Sequence, residues 1–570
     1  MRARRGDRDR RVALRDAALR PSYHPGEENM SMNDHVGTDQ STGARRALAC
    51  ALAATFVVSL AGCSKEEPAP PQTSAAPAKA AAPAGPKRGG TLIFARPEEP
   101  ATFDPYIPSD NGSIYAIEQV CDSLVEPDAT GEGLRPGLAE SWEISEDKLV
   151  YTFKLRQTKF SNGDPVTTDD VLFSMKKASA EAAPLGFLFA PIKSVEAPDA
   201  TTIKITLKQP YAPMLSALSA FGAAIVSKKA YEAGPEAFGQ KPVCAGAFTV
   251  EEYSRGTRVV LAKSPDYWEK GKDGQSLPYV DKVEMRYVAD SNARVLGLKN
   301  GDLDAIAIVP FNQAESLKAL PEVKLEEAPI FRLDYVFLNH KAKPLDKKEL
   351  RLAMNYAADR EAILKVVFFG YGKIPNSYMP KVNFHSDAVA AIPYDLEKAK
   401  ELVKAAGYKG QTIKLMVDTG NAPSKQIATI LQQGWTEAGM KVEIVEFDVG
   451  TAFDMSSKGN YMAYVSYITS DINDTDELAT LQADGRGSSK SFFSNYRNDE
   501  VGKMLDEARK EGDPAKRGEL YAKVQDIVYH DGYSVPLSFS PALNAYHGYV
   551  EGWKTANNGW WWLKDVIRNK

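Results

Sequence analysis

Residues 134–175 read LRPGLAESWEISEDKLVYTFKLRQTKFSNGDPVTTDDVLFSM. Leu149, Tyr151, Phe153 and Leu155 alternate with Val150, Thr152, Lys154 and Arg156, the period-two pattern of a strand with one buried face. Asn162-Gly163 supplies a turn where a positive φ costs little. Thr167 is placed to cap a helix, with Asp170 three residues on and near the positive end of the helix dipole. The stretch therefore predicts strand, turn and helix start, a unit that many folds share.

The wording of the stretch is more specific than its periodicity. Gly137–Trp142, Tyr151–Arg156 and Phe160–Val171 together resemble the signature of the family 5 extracellular solute-binding proteins, the dipeptide/oligopeptide-type binding proteins of ABC importers. The resemblance continues through Pro242–Phe248, Asn300–Asp304, Tyr394-Asp395 to Gly407-Tyr408, and Phe493–Tyr496, and covers roughly residues 89–565. It implies an α/β, two-lobe periplasmic-binding-protein fold of the larger, three-subdomain type. It also implies a hinged closure around a peptide or other small solute, which is then delivered to ABC-transporter permease subunits.

The ends carry processing signals. Arg45-Arg46, the apolar run Ala47–Leu60 and Leu60-Ala61-Gly62-Cys63 look like a bacterial lipoprotein signal peptide with its lipobox. That likeness implies lipidation at Cys63, against the alternative of an ordinary secretory signal. The run is too short to cross a bilayer core, rising only about 21 Å. Residues 1–31 are arginine-rich and aperiodic, either a leader upstream of the true start at Met30 or Met32 or a genuine extension. Residues 64–88 are rich in Ala and Pro and read as a tether.

The expected organisation is extension and signal peptide over 1–62, lipidated Cys63 and tether over 63–88, lobe I over 89–333 plus 535–570, and lobe II over 334–534. Extended crossings near 333–338 and 533–539 would absorb the hinge motion. Alternating strands and helices predict mainly parallel sheets. A single helix is expected over 350–365, another near 113–124, and an apolar helix over 211–222. Cys121 and Cys244 are either a disulfide or two unpaired core thiols.

A net charge of −5 gives no reason to expect a nucleic-acid partner, and the chain is expected to be monomeric, with the membrane met only through the lipid. Past the signal no run approaches a membrane span. His340, His385, His530 and His547 show no ligand spacing, and no phosphate loop or nucleophile elbow appears, so no enzyme, cofactor or metal site is expected.

Recognition therefore needs a cleft with a few aimed polar groups. The segment Tyr467-Ile468-Thr469-Ser470-Asp471, with Asp474, Asp476 and Glu477 following, is the candidate; its acids would favour a cationic group. In the resemblance, Asp471 falls where peptide-binding members hold the ligand's α-ammonium. Tyr467, Thr469 and Ser470 accompany it. The segment after the first strand is expected to form the other lip, with Phe103, Ser109, Asp110 and Asn111 as candidates. Two departures stand out. Ile468 occupies the position where dipeptide binders carry an aromatic, and the loop Asp418–Lys425 lacks their carboxylate-binding arginine. A longer peptide, an amine or a cationic amino-acid derivative fits better than a free dipeptide. A nickel chelate, haem, oligosaccharide or opine is the alternative ligand, and an extracytoplasmic hydrolase the less favoured alternative activity.

Overall fold

The computed structural model describes residues 85–107, 110–128, 131–487 and 491–570. The signal peptide, Cys63 and most of the tether lie outside the described residues, as does Ser109.

Three sheets organise the body. The quoted stretch builds one of them, a four-stranded antiparallel sheet ordered Ala139–Ile144, Val150–Leu155, Thr202–Leu207, Ile192–Asp199. Tyr151, Phe153 and Leu155 point into the core as the alternation requires. Asn162-Gly163 turns with Gly163 at φ +87°. The helix Thr168–Ala178 begins with a reciprocal cap: Asp170 N–H donates to the Thr167 hydroxyl and Thr167 N–H to the Asp170 carboxylate.

A seven-stranded sheet runs Val323–Ala328, Ala542–His547, Ala305–Ile306, Thr91–Arg96, Lys282–Tyr287, Arg258–Lys263, Phe248–Ser254. A five-stranded sheet runs Lys441–Phe447, Thr412–Asp418, Ala463–Thr469, Arg332–Leu338, Ser534–Ser538. Each contains only two parallel pairings, Thr91–Arg96 with both its neighbours and Thr412–Asp418 with both of its own. The expectation of mainly parallel sheets is thus corrected to mixed sheets. Phe248–Ser254 and Arg258–Lys263 are joined by three residues with Gly256 at φ +70°, and a connection that short permits only an antiparallel return.

Other expectations are also corrected. The helix expected over 350–365 is two, Lys348–Tyr356 and Arg360–Val366. Asp359 caps the second by accepting from Ala362 N–H, and the buried Arg360 donates to Asn355 O and Pro536 O. An arginine that satisfies carbonyls at the end of one helix lets the next begin at a new angle. The helix near 113–124 is only Asn111–Ile117, and 211–222 holds two short pieces, Met214–Ala217 and Phe221–Ala223.

The chain passes from the seven-stranded to the five-stranded sheet by strand Arg332–Leu338 and returns after Ser534–Ser538. These strands pair with each other, and the first also pairs along its whole length with Ala463–Thr469. Residues 329–331 and 539–541 are the short links that join these paired strands to the seven-stranded sheet. Cys121 and Cys244 form a disulfide, with S–S 2.04 Å and Cα–Cα 4.9 Å. Among the described residues no helix is long and apolar enough to cross a membrane.

Candidate functional site

Strand Ala463–Thr469 sends alternate side chains to opposite faces. Tyr464 and Ile468 enter one core, Ala463 and Val465 another. Tyr467 continues the second set past the end of its core and is 41% exposed. This explains the departure at Ile468: the period of two buries that residue and frees the tyrosine before it. The guanidinium of Arg332, on the neighbouring strand, lies 3.8 Å from the Tyr467 ring centroid.

The acidic turn after this strand is not a diffuse negative patch. Glu477 folds back on the turn, its carboxylate accepting from Ser470 Oγ at 2.7 Å, Asp471 N–H at 3.1 Å and Ile472 N–H at 3.2 Å. Asp474 is gripped by Arg517 through two bonds of 2.8 and 2.7 Å. Asp476 accepts from Arg509 Nε at 3.0 Å and from the hydroxyls of Tyr521 and Tyr211. Of the four carboxylates in the turn, Asp474 and Asp476 have arginine partners; Asp471 and Glu477 have no ion pair among the described residues, and Glu477 is instead tied to the backbone amides. Burial raises its pKa to about 6, and burial together with the Asp471 charge raises Glu477 further.

The opposite lip comes from helix Asn111–Ile117. Asn111 Nδ2 lies 3.5 Å from Thr469 Oγ1, so these two candidates meet across the cleft. Tyr115, on the same helix, donates to Asn558 O, and Asn558 Nδ2 donates to the backbone oxygen of Asp471. The Arg96 guanidinium lies 5.8 Å from the Tyr115 ring centroid.

Three candidates have other tasks. Phe103 is fully buried and packs edge-on against Tyr253, inside the core of its lobe and out of reach of any ligand. The Asp110 carboxylate caps the helix, accepting from Ser113 N–H at 2.8 Å. Ser470 is fully buried with its hydroxyl committed to Glu477 and Ile472 O. Arg332, Tyr115 and Asn558 were missed; only the register Arg332↔Thr469 brings the arginine to the cleft, and register is not legible in one sequence.

The lobes touch beside the site. Ile472 belongs to the core of the seven-stranded lobe although its neighbours in sequence belong to the other. Tyr211 reaches Asp476 at 3.0 Å, and Ala212 N–H donates to Arg509 O at 2.8 Å. The Trp560-Trp561-Trp562 run is buried: Trp561 packs on Phe94 and Tyr115, while Trp560 and Trp562 lie against each other. His340 and His547 are held by backbone oxygens of Tyr533 and Leu298. No cluster of three or more metal-ligating side chains exists among the described residues.

Comparison with known proteins agrees with this architecture. Residues 133–490 match the family described as bacterial extracellular solute-binding proteins, family 5 Middle. The glutathione-binding protein GsiB of Escherichia coli K12 is 30% identical over 462 residues, covering 79% of this chain and 89% of that protein. The periplasmic binding protein DppA of Helicobacter pylori, solved with the peptide STSA, superposes with a TM-score of 0.77 at 28% identity, covering 85% of this chain and 99% of that one. AgaA of A. tumefaciens R10, solved with agropinic acid, gives 0.76 at 28% identity, covering 84% of this chain and 99% of that one. With a family match over more than half its length and a two-lobe fold shared with solved periplasmic binding proteins, the chain belongs to the family 5 bacterial extracellular solute-binding proteins.

Proposed function

We propose that this protein is the solute receptor of an ABC importer and that it captures a peptide-like or amine-bearing ligand whose ammonium group pairs with Asp471. The observation that carries this reading is the asymmetry of the acidic turn. Two carboxylates are paired with arginines and a third is tied to backbone amides, while the fourth, Asp471, is half-buried and has no ion pair among the described residues. A half-buried carboxylate in that position is stabilised by an incoming ammonium through a charge-assisted hydrogen bond. The exposed ring of Tyr467 offers an apolar wall beside it. Relatives that bind glutathione and the peptide STSA support the ligand class.

Lobes spanning 89–333 with 535–570, and 334–534, are the moving parts in this reading. The protein binds and releases without covalent chemistry, acts as a monomer, and is held to a bacterial membrane by lipid on Cys63, on the extracytoplasmic side. A second reading takes an opine-type solute, supported by the likeness to AgaA. Mass spectrometry of the material released when the purified protein is denatured distinguishes them. A peptide or other primary amine is expected; a guest without a basic nitrogen would refute the ammonium site.

A further inference from the structure

Arg332 differs from the buried Arg351 and Arg517 of its lobe in how it uses its donors. Its Nε and Nη2 atoms lie 3.2 and 2.7 Å from Asp334 Oδ1, so Asp334 occupies one edge of the guanidinium. Asp334 is itself fixed by the Ser540 hydroxyl. Nη1 makes no hydrogen bond among the described residues. A guanidinium carries five N–H donors in a rigid plane, and the Nη1–Nη2 edge can take a second carboxylate end-on, as a two-pronged fork.

The plane is held in place by Tyr467 at 3.8 Å, and the arginine side chain keeps 31% of its surface open to solvent. The buried arginines of the same lobe behave otherwise. Arg351 donates through Nε, Nη1 and Nη2 to backbone oxygens, and Arg517 closes on Asp474 and Ala508 O. Position adds a second constraint. Arg332 stands opposite Thr469 in the antiparallel ladder, and Asp471 follows two residues beyond Thr469. Asn111 of the facing lobe meets Thr469, the residue paired with Arg332 in the ladder, at 3.5 Å. An acceptor for a cation and an unused donor edge for an anion therefore lie at one end of the same strand pair.

We propose that the Nη1–Nη2 edge of Arg332 anchors a free carboxylate of the ligand, so that the cleft selects zwitterionic, amino-acid-derived solutes with an ammonium at Asp471 and a carboxylate at Arg332. This rests on the ammonium reading of Asp471 given above. Asp334 is a positioning residue in this arrangement: it orients the guanidinium and touches no ligand.

Calorimetric titration with a defined panel tests it. The probes are reduced glutathione and alanine peptides of two to four residues, each peptide as free acid, C-terminal amide and N-acetyl derivative. Wild type is expected to bind the free acid of at least one length about tenfold or more tightly than its amide, the scale of one charge-assisted fork. Arg332→Gln should abolish that preference and leave the penalty for N-acetylation intact. Arg332→Lys keeps the charge without the fork and should restore part of the preference; it carries the test if Arg332→Gln fails to fold. An acid-to-amide ratio unchanged in both variants, or a wild type indifferent to amidation, overturns the carboxylate anchor. A wild type indifferent to N-acetylation overturns the Asp471 reading alone, and failure to bind any probe overturns both.

Discussion

The uncompensated charge of Asp471 makes ligand affinity depend on pH in a calculable way. Burial raises the carboxyl to about 6, against the lowering effect of its hydrogen bond with Glu477. An ammonium pairs with the ionised form, so the competent fraction of receptor falls as pH drops through that value. The apparent dissociation constant scales as the inverse of the competent fraction, so affinity should weaken about tenfold between pH 7 and pH 5, with one proton released per ligand bound at the lower pH. Asp471→Asn keeps the shape but removes the charge. A hydrogen bond to a charged group contributes about 1.5–3 kcal/mol, so this variant should bind about 10- to 100-fold more weakly at pH 7, and its affinity should fall less steeply than that of wild type between pH 7 and 5. Titration calorimetry of both proteins in two buffers of different ionisation enthalpy reads the affinity and the proton count together. An unchanged affinity in Asp471→Asn, or an acid-side loss as steep as that of wild type, would refute the reasoning.

Further outcomes follow from the packing. Arg517→Ala leaves Asp474 buried without its partner and should lower stability by about 3–5 kcal/mol in urea titration, while the pH profile of ligand binding stays that of wild type. Phe103→Ala should cost about 3–5 kcal/mol as a core cavity and leave the affinity of the folded fraction unchanged, which separates a core residue from a ligand contact. Replacing Cys121 and Cys244 together by alanine opens a loop with a sequence separation of 123 and should reduce stability by about 4–5 kcal/mol in chemical denaturation under non-reducing conditions. Tyr211→Phe removes a hydroxyl bonded to Asp476 across the lobes, and the ligand-free protein should show a larger radius of gyration by small-angle scattering.

Much of the fold could be read from local pattern because its signals are local. The Thr167/Asp170 cap, the Gly163 turn and the alternation through Phe153 need only neighbours a few residues away. Strand Lys441–Phe447 and helix Asp499–Lys510 fall where periodicity puts them. Strand direction was not legible, since it depends on how a connection returns. The site was legible only in part. Asp471 and Tyr467 sit at the end of a recognisable strand, but the charges of Asp474 and Asp476 are cancelled by Arg517 and Arg509 from helices over thirty residues away. Phe103 and Asp110 fall on a loop whose sequence suits a lip equally well whether its side chains turn inward or outward. Arg332 needed the ladder register to be seen at all.

The contacts of Ile472, Tyr211 and Ala212 bear on delivery. They join the lobes through protein alone, whatever lies between them. Withdrawing a buried isoleucine costs about 2 kcal/mol, and each broken hydrogen bond adds about 1 kcal/mol. In the hinged mechanism proposed above, an opening that parts these contacts would carry a floor of work that the guest does not set.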